Sequence, residues 1–434
     1  MRLPGWAWLA LSSALLVPLA GETRPHYGGT LTVELSSPWH AVDQGAKSAL
    51  PIPVAETLVR VNSQGAVEPV LAVAWQHDPD YKRWRFSLRS KVAFHDGEPL
   101  TGAAAVPSLL GALKQRYRDV SIEAGGQALL IEAGQAMPDL LEELALPEAA
   151  ISRTGDASPY IGTGPFRVTQ WEPGRHLTLA AFDGYWGGRP FLDTVAIEFG
   201  AARGRADLFD IPVGPVRRIL PEGFATWSSL PRTLVAIETG DVQPLLPAFT
   251  LAIDRTPIAN VLAQHKADPA FGLLPQWLSG YEFLFATPPD WARAKQIAPQ
   301  LRGASTGLGY PPYDPFLRSV AERVALNARD AGLILQPTTA PNAQLRLFEV
   351  MLESTDAAHE LRRLMQQSGL GALDDTHDPS TPQGRYNLER GILDQRLIVP
   401  LVYLRETYGI GPRVHFQPSR DQFSLHLEDC WIEP

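Results

Sequence analysis

Two short motifs contain residues that could catalyse hydrolysis. His95 and Asp96 are adjacent, and Gly303–Gly307, with Ser305 at its centre, has the letters of a nucleophile elbow. Such an elbow needs a strand before the serine and a helix directly after it, to lift the hydroxyl above a sheet. Because Pro311-Pro312 follows closely, that helix is not expected. We therefore interpret the serine motif as accidental, and His95-Asp96 as a turn whose imidazole is satisfied by backbone groups.

The spacing of the residues does not indicate a metal or cofactor site. The ten histidines are scattered, and neither His-x-x-x-His nor Cys-x-x-Cys occurs, although clustered ligands at fixed spacing are what a metal site needs. No glycine loop ending in Lys-Ser/Thr is present to hold a phosphate. We expect no cofactor and no metal, and the spacing does not support directly coordinated nickel, with scattered histidines that meet only in the fold as the alternative. Asp254 and Arg255 indicate a buried salt bridge or a cap before a helix starting at Pro257, rather than ligand contacts.

Length and charge narrow the class of protein further. The 434 residues are too many for one ordinary core, so two or more lobes are expected. The formal net charge of −9 argues against a nucleic-acid partner, which would need a basic face. The single cysteine, Cys430, excludes an intramolecular disulfide and is interpreted as a small packed residue.

The first 21 residues have the pattern of a signal peptide. Arg2 precedes an almost uninterrupted apolar run from Trp6 to Leu19, which is shorter than the ~20 residues that span a bilayer. Ala20 and Gly21 are small enough for a cleavage point, with an uncleaved anchor as the alternative. We expect export to the periplasm without a lipid anchor, because no cysteine lies near this segment.

Local patterns then predict strands and helices in alternation. Alternating apolar residues predict strands at Leu31–Leu35 and Trp84–Leu88. Thr101 is suited to cap a helix through Leu113, in which Pro107 predicts a kink or a late start. A tight turn is expected at Gly162–Pro165.

The clearest helix predicted runs from Asp314 to Ala331. Asp314 suits the N-cap, Pro315 the first helical position, and Gly332 the left-handed residue after the last turn. A buried strand is expected at Leu333–Leu335, and another helix at Asp356–Gln367. These elements indicate an α/β protein with several lobes.

Several of these segments resemble the motifs of one protein family, and they occur in the family's order. They are Gly28–Leu31, Glu56–Val59, Glu68-Pro69 with Leu71-Ala72 and Trp75, Phe86–Arg89, Val92–Thr101, Gly162–Phe166, Tyr185–Leu192, Ala252–Arg255 and Ile398–Leu401. The ordered set is similar to the family 5 extracellular solute-binding proteins, which include oligopeptide-, dipeptide- and nickel-binding proteins. The resemblance covers nearly the whole chain after the signal segment.

The resemblance implies a two-lobed periplasmic binding protein of type II, with a solute cleft between the lobes and an extra subdomain inserted in one of them. The implied ranges are 28–43, 160–236 and 400–434 for lobe I, 44–159 for the inserted subdomain, and 237–399 for lobe II. Chain crossings near Ile237–Gly240 and Leu397–Leu401 would form the hinge, on which closure around a ligand depends.

This chain departs from the family at the place where peptide binders carry a tryptophan and an acidic, proline-containing run. The segment Phe348–Asp356 lacks that pattern, so the acidic anchor for a peptide's terminal amine cannot be transferred. Glu349 or Glu353 could replace it, but a strand or helix-cap role fits them equally well.

Ligand contacts in such clefts come from loops and strand ends that face the other lobe, often through aromatic side chains. The residues in these positions are Ser36, Ser37, Trp39, His40, Tyr310, Tyr313, Phe348 and Glu349. For Trp39, a role as a packed aromatic side chain in the loop is an equally good interpretation.

The resemblance implies a monomeric binding protein, not an enzyme, that delivers a small solute or peptide to an ABC permease in the inner membrane. One alternative is an exported hydrolase, which the absence of an assembled nucleophile, base and acid disfavours. Another keeps the fold but makes the protein a ligand-sensing subunit of a membrane receptor. The sequence alone does not separate the importer from the sensor, and it does not name the ligand.

Overall fold

The computed structural model describes residues 25–36, 52–62, 64–155, 160–200, 206–215, 218–240, 244–298, 305–367, 379–417 and 424–433. Within these ranges the chain alternates between strands and helices, as the sequence predicts.

The strands, in chain order, are β1 (Thr30–Leu35), β2 (Val59–Val61), β3 (Val67–Pro69), β4 (Ala72–His77), β5 (Arg83–Leu88), β6 (Ser121–Gly125), β7 (Ala128–Glu132), β8 (Phe166–Glu172), β9 (His176–Ala181), β10 (Thr194–Phe199), β11 (Leu208–Asp210), β12 (Ala225–Ser228), β13 (Thr233–Thr239), β14 (Ala267–Pro269), β15 (Ser305–Gly309), β16 (Ile334–Thr338), β17 (Leu345–Met351), β18 (Ile398–Leu404), β19 (Thr407–Ile410), β20 (Val414–Phe416) and β21 (Cys430–Ile432).

The α-helices are α1 (Gly102–Leu113), α2 (Leu140–Ala145), α3 (Leu246–Ala252), α4 (Gln276–Ser279), α5 (Trp291–Ile297), α6 (Pro315–Asp330), α7 (Ala357–Gln367) and α8 (Pro382–Gln395). A π-helical turn covers Ile258–Leu262, and 3₁₀ turns cover Pro147–Ala149, Glu282–Phe285 and Leu427–Asp429.

Lobe I is built on a seven-stranded sheet in the order β12-β19-β11-β1-β10-β9-β8. In its centre β1 pairs in parallel with both β10 and β11, so the carboxyl ends of these strands lie at one edge of the sheet. The core on this sheet includes Leu31, Val33, Val195 and Ile197, which alternate with more exposed residues as half-buried strands do.

Lobe II is built on a six-stranded sheet in the order β14-β18-β13-β17-β15-β16. All seven residues of β18 are buried, which fits an apolar strand covered on both faces. One face packs against a core with α3 and α6, and the other against a core with α7 and α8.

The lobe boundaries expected at 236/237 and 399/400 fall inside β13 and β18. Because both strands are hydrogen-bonded along their length within the six-stranded sheet, they belong entirely to lobe II. The chain changes sheet between Ser228 and Thr233, and it returns between Leu404 and Thr407. The points where the chain changes sheet therefore lie several residues from the expected crossings, at the ends of these strands.

The two crossing segments run side by side and are hydrogen-bonded to each other. The Ser229 amide donates to the Glu406 carbonyl at 2.9 Å, and the Glu406 amide donates to Ser229 Oγ at 3.1 Å. The Arg232 amide donates to the Leu404 carbonyl at 3.0 Å. We refer to 229–232 and 405–406 as the hinge segments, after the role that the family resemblance implies for the crossings.

The inserted subdomain has a separate four-stranded sheet, β4-β5-β7-β6, covered by α1 and α2. Trp84, Phe86 and Leu88 of β5 are all buried, which confirms the predicted strand. The turn at Gly162 lies against the segment that leads into this subdomain so closely that a Cβ there would be 1.9 Å from the Val54 carbonyl oxygen. Only glycine fits that approach.

Helices α1 and α6 begin directly after the capping residues predicted from the sequence. Thr101 Oγ1 accepts from the Ala104 amide at 3.2 Å, and α1 begins at Gly102 despite Pro107, so the late start was wrong. Asp314 Oδ1 accepts from the amides of Phe316 and Leu317, both at 2.9 Å. These caps satisfy amides that the first helical turn leaves free.

The helix that Asp314 caps ends as the sequence predicts. Gly332 has a φ of +88° after the last turn of α6, a left-handed conformation that glycine adopts without strain. The strand that follows differs from the prediction. Its second predicted residue, Ile334, is 51% exposed, so β16 is a half-buried edge strand.

Candidate functional site

The ends of two lobe II strands meet beside the hinge, and the loop after a third strand runs toward them. Met351, the last residue of β17, pairs with Thr233 at the start of β13, immediately after a hinge segment. β15 runs parallel to β17, so the loop that follows β15 leaves the sheet toward the same end. This loop holds Tyr310 and Tyr313, and Glu349 lies near the end of β17. In open α/β sheets, ligands bind outside the carboxyl ends of parallel strands.

Lobe I presents a polar cluster at its own hinge end. The Ser36 amide, directly after β1, donates to both carboxylate oxygens of Asp210, at 2.9 and 3.0 Å, and its hydroxyl also contacts that carboxylate. Arg218 Nη1 lies 3.2 Å from Asp210 Oδ1. Asp210 pairs with Tyr408, close to where the chain re-enters lobe I. Burial raises the pKa of Asp210, whereas the Ser36 hydrogen bonds and the Arg218 charge oppose that rise.

The lobes touch through the loop that follows Asp210. Lys266 Nζ donates to the Pro212 carbonyl at 2.9 Å, and Gln264 Nε2 donates to the Gly214 carbonyl at 2.9 Å. A Cβ at Gly214, whose φ is +114°, would lie 3.2 Å from Cβ of Phe316 in the first turn of α6. This loop therefore joins the polar cluster of lobe I to the end of lobe II that carries Asp314 and Glu349.

Glu349 is an acidic side chain with no matching cation. Among the residues that the structure describes, neither an ion pair nor a hydrogen bond involves its carboxylate. Its side chain still meets water, but the surrounding protein and then the nearby Asp314 carboxylate raise its pKa to about 7. Such a carboxylate is well placed to accept a hydrogen bond or a positive charge from a ligand.

The remaining predicted contacts differ in their surroundings. Tyr313 is 97% exposed, whereas Tyr310 packs against the lobe II core and its amide donates to the Thr338 carbonyl at 3.0 Å. Phe348 packs against the core on the sheet face opposite Glu349, because neighbouring strand residues point to opposite faces. Ser37, Trp39 and His40 lie outside the described residues. Among the predicted contacts that the structure describes, Ser36, Tyr310, Tyr313 and Glu349 stay candidates, and Ser37, Trp39 and His40 stay predictions.

The second acidic residue considered in the sequence is already occupied. Arg363 Nη1 lies 3.8 Å from Glu353 Oε2, and Arg363 also pairs with the buried Glu360. Glu360 in turn accepts from the Glu353 and Ser354 amides. Glu353 thus belongs to a structural network at the start of α7, which leaves Glu349 as the acid available to a ligand.

Sequence reasoning missed Asp210 and Arg218. Asp210 ends a strand of only three residues, which gives almost no periodic signal. Its partner Ser36 is 174 residues away in the chain, so only the parallel pairing of β1 and β11 shows that the two meet.

The hydrolytic motifs have the structural roles expected from the sequence. The Gly162 amide donates to His95 Nδ1 at 3.2 Å, and His95 Nε2 lies 3.0 Å from the Gly164 carbonyl, which its N–H contacts. Ser305 begins β15, and the next helix starts at Pro315, so the geometry of a nucleophile elbow is not formed.

Neither a metal cluster nor a membrane-spanning helix is found in the described ranges. In the described ranges, no three His, Cys, Asp or Glu side chains lie close enough together to hold a metal ion. None of the helices in those ranges is both long and apolar enough to cross a bilayer.

Comparison with known proteins gives a consistent family. Residues 66–209 match the model of bacterial extracellular solute-binding proteins, family 5 Middle. The nickel-binding protein NikA of Staphylococcus aureus is 32% identical over 158 residues, or 34% of this chain and 32% of that protein. The dipeptide-binding protein of Escherichia coli is 29% identical over 337 residues, or 62% of each chain. The chain spans 32 to 62% of the length of the first curated relatives it matches.

Solved structures extend the similarity to the whole fold. NikA from Brucella suis, in complex with Fe(III)-EDTA, superposes with a TM-score of 0.77 at 18% identity, covering 93% of this chain and 100% of that one. AppA from Bacillus subtilis, in complex with a nonapeptide, gives 0.71 at 16% identity, covering 95% and 100%. At these identities the similarity shows the fold alone, which is the expected two-lobed binding-protein fold.

Proposed function

The chain is a member of the family 5 bacterial extracellular solute-binding proteins, as its ordered motifs indicated, and from that premise we propose that it captures a small solute between its lobes and delivers it to an ABC permease. In this proposal the protein is an exported, monomeric, periplasmic component without catalytic activity, metal or cofactor. Members of this family are extracellular or periplasmic binding proteins.

The observation that carries the proposal is the hinge between two separately built sheets. Two short, paired crossings, 229–232 and 405–406, connect the lobes, and both sheets end beside them with polar side chains. Few backbone angles need to change for one rigid lobe to rotate against the other. A cleft that opens and closes in this way suits reversible capture better than a fixed catalytic geometry.

For the ligand we propose a small solute other than a free-amine peptide. The family's acidic run is absent and Glu353 is paired with Arg363, so the usual receptor for a terminal amine is not formed. Ser36 and the Asp210–Arg218 pair face the cleft from lobe I in this scheme, and Glu349 with the two tyrosines from lobe II.

The proposal is tested by identifying what the protein carries. The full chain would be expressed in a Gram-negative host with its N-terminal segment, recovered from the periplasmic fraction, and partly unfolded to release bound molecules for mass spectrometry. A released solute that rebinds in calorimetry and lowers the radius of gyration in small-angle scattering supports capture by closure. A solute that is chemically converted during incubation would instead support the hydrolase alternative.

The transporter and sensor roles are separated by a second measurement. Uptake of the identified solute should require this protein together with a permease and an ATPase encoded beside it. Loss of a transcriptional or chemotactic response, with uptake unchanged, would favour the sensor role.

A further inference from the structure

Lobe II contains a cavity of 260 Å³ that lies away from the hinge. Arg255 lines it, and Arg255 Nε donates to the Pro400 carbonyl at 2.9 Å. Pro400 precedes Leu404, the hinge end of β18, by four residues, which is roughly 13 Å along an extended strand. The cavity is therefore separate from the proposed solute cleft.

The guanidinium of Arg255 is held in place but only partly satisfied. It lies 5.0 Å from the centre of the Phe271 ring, and Nε has the carbonyl partner. For its two terminal nitrogens, no hydrogen-bond acceptor is found among the described residues, although they carry most of its donors. Burial without a paired charge lowers the pKa of Arg255 to about 10.

The neighbouring carboxylates do not neutralise this cation directly. Asp254 Oδ1 accepts from the Thr256 amide at 3.1 Å, and among the described residues this carboxylate forms no ion pair with Arg255. Glu282 Oε1 accepts from the Phe271 amide at 2.7 Å. Both carboxylates favour the charged form of Arg255 from a distance, and they would repel an anion that carries two charges.

The rest of the cavity wall is largely apolar. Besides Arg255, its lining comprises Ile253, Phe271, Ala286, Pro288 and Pro289, together with the polar residues Asp254, Thr256 and Thr287. An apolar wall with a single guanidinium group fits a ligand that has one anionic group and a small hydrocarbon part. The planar guanidinium matches a carboxylate, which can accept two parallel N–H···O bonds.

We propose that this cavity binds a small monocarboxylate, with the carboxylate on the terminal nitrogens of Arg255 and the hydrocarbon part against Phe271 and the two prolines. This assignment does not depend on the solute-capture function, because the cavity and the hinge cleft share no residue. It adds a second ligand site to lobe II.

Binding can be measured with isobutyrate as the probe, by saturation-transfer NMR on the full chain and by calorimetry. Isobutyrate should bind, its neutral amide should bind at least tenfold more weakly, and inorganic phosphate should not compete. Arg255→Gln should weaken isobutyrate binding at least tenfold. Arg318→Gln is the matched control, because it removes the same charge from an exposed pair with Glu322 on the same lobe and should leave binding unchanged.

A second variant removes the cavity while keeping the cation. Ala286→Leu adds bulk to the cavity wall without altering Arg255, and it should abolish isobutyrate binding while the melting curve stays close to that of the wild type. If Arg255→Gln fails to fold, isobutyrate binding by Ala286→Leu tests the proposal in its place. Isobutyrate binding that survives in Ala286→Leu, or equal competition by phosphate, would overturn the proposal.

Discussion

Arg362 and Asp139 form a bidentate ion pair, with Nε–Oδ2 and Nη2–Oδ1 distances of 2.6 and 2.5 Å, although 223 residues separate them. Arg362 lies on α7 of lobe II, and Asp139 precedes α2 of the inserted subdomain. Close by, Thr355 Oγ1 donates to the Asn62 carbonyl at 2.7 Å. These contacts attach lobe II to the subdomain, so a hinge opening that separates α7 from α2 must break them.

Breaking the ion pair should therefore favour the open form. The pair is partly buried, and its loss should cost the closed state about 1 kcal/mol, which corresponds to roughly fivefold weaker ligand binding when closure is required. Arg362→Ala should increase the radius of gyration without ligand and weaken solute binding by about that factor. Scattering and calorimetry would measure the two effects.

The control for this variant is Arg390→Ala, since Arg390 pairs with Asp394 inside α8 and joins no lobes. Asp139→Asn should reproduce the effect of Arg362→Ala, and the double variant should add little further. A scattering curve identical to that of the wild type in both variants would show that the pair does not influence closure.

The sequence predicted most of the local structure because those signals are local. The Thr101 and Asp314 caps, the Pro315 helix start and the β5 alternation each depend on a few neighbouring residues. The lobe ranges do not follow from such local signals, because β13 and β18 continue the apolar pattern past the expected crossings and only strand pairing shows that both belong to the six-stranded sheet.

The candidate site was less predictable because it is assembled from distant parts of the chain. Glu349 could be singled out from its strand position, but that Glu353 is occupied follows only from the tertiary contact with Arg363. Likewise, nothing near Arg362 in the sequence indicates Asp139. Contacts of this kind depend on how whole lobes pack, which periodicity does not report.

His359 of α7 should make the fold sensitive to acid. It is 2% exposed, and within the described residues neither ring nitrogen has a hydrogen-bond partner. Burial, and then the charges of Arg116, Arg363 and Arg362, lower its pKa to about 3. Because this lies below the ordinary value of 6.5, the stability that neutral His359 contributes is present above pH 6.5 and is lost as the pH falls toward 3.

The free energy of unfolding should fall by up to about 1.4 kcal/mol for each pH unit below pH 6.5 because of His359. His359→Phe removes the titrating group, so its free energy of unfolding should depend less on pH between 6.5 and 4 than that of the wild type. Urea denaturation at several pH values would measure this. Equal slopes for the two proteins in that interval would contradict the prediction.

Neither hydrolytic motif should affect ligand binding. His95→Ala removes the two backbone contacts of the imidazole and should destabilise the protein by about 1–3 kcal/mol, with solute affinity unchanged. Ser305→Ala, at the exposed start of β15, should leave both stability and affinity unchanged. A hydrolytic activity that disappears in Ser305→Ala would overturn the assignment as a binding protein.

The ionised form of Glu349 should lower the free energy of unfolding of the ligand-free protein at neutral and higher pH. Its pKa lies near 7, above the ordinary 4.5, so folding favours the protonated acid, and stability falls as the pH rises from 4.5 through 7. Glu349→Gln should therefore be more stable than the wild type at pH 8, with the difference vanishing below pH 4.5. Thermal denaturation across this range would detect it, and a variant less stable at pH 8 would contradict it.

Free-amine peptides should be poor ligands in spite of the family relationship. An ammonium group taken out of water must be paired, or the cost reaches several kcal/mol, and the family's acidic run is replaced here by a segment in which Glu353 is held by Arg363. Calorimetry with a mixed di- and tripeptide library should therefore give no measurable binding. Peptide binding that is lost both on N-terminal acetylation and in Glu349→Gln would contradict this, and it would identify Glu349 as the acid that receives the amine.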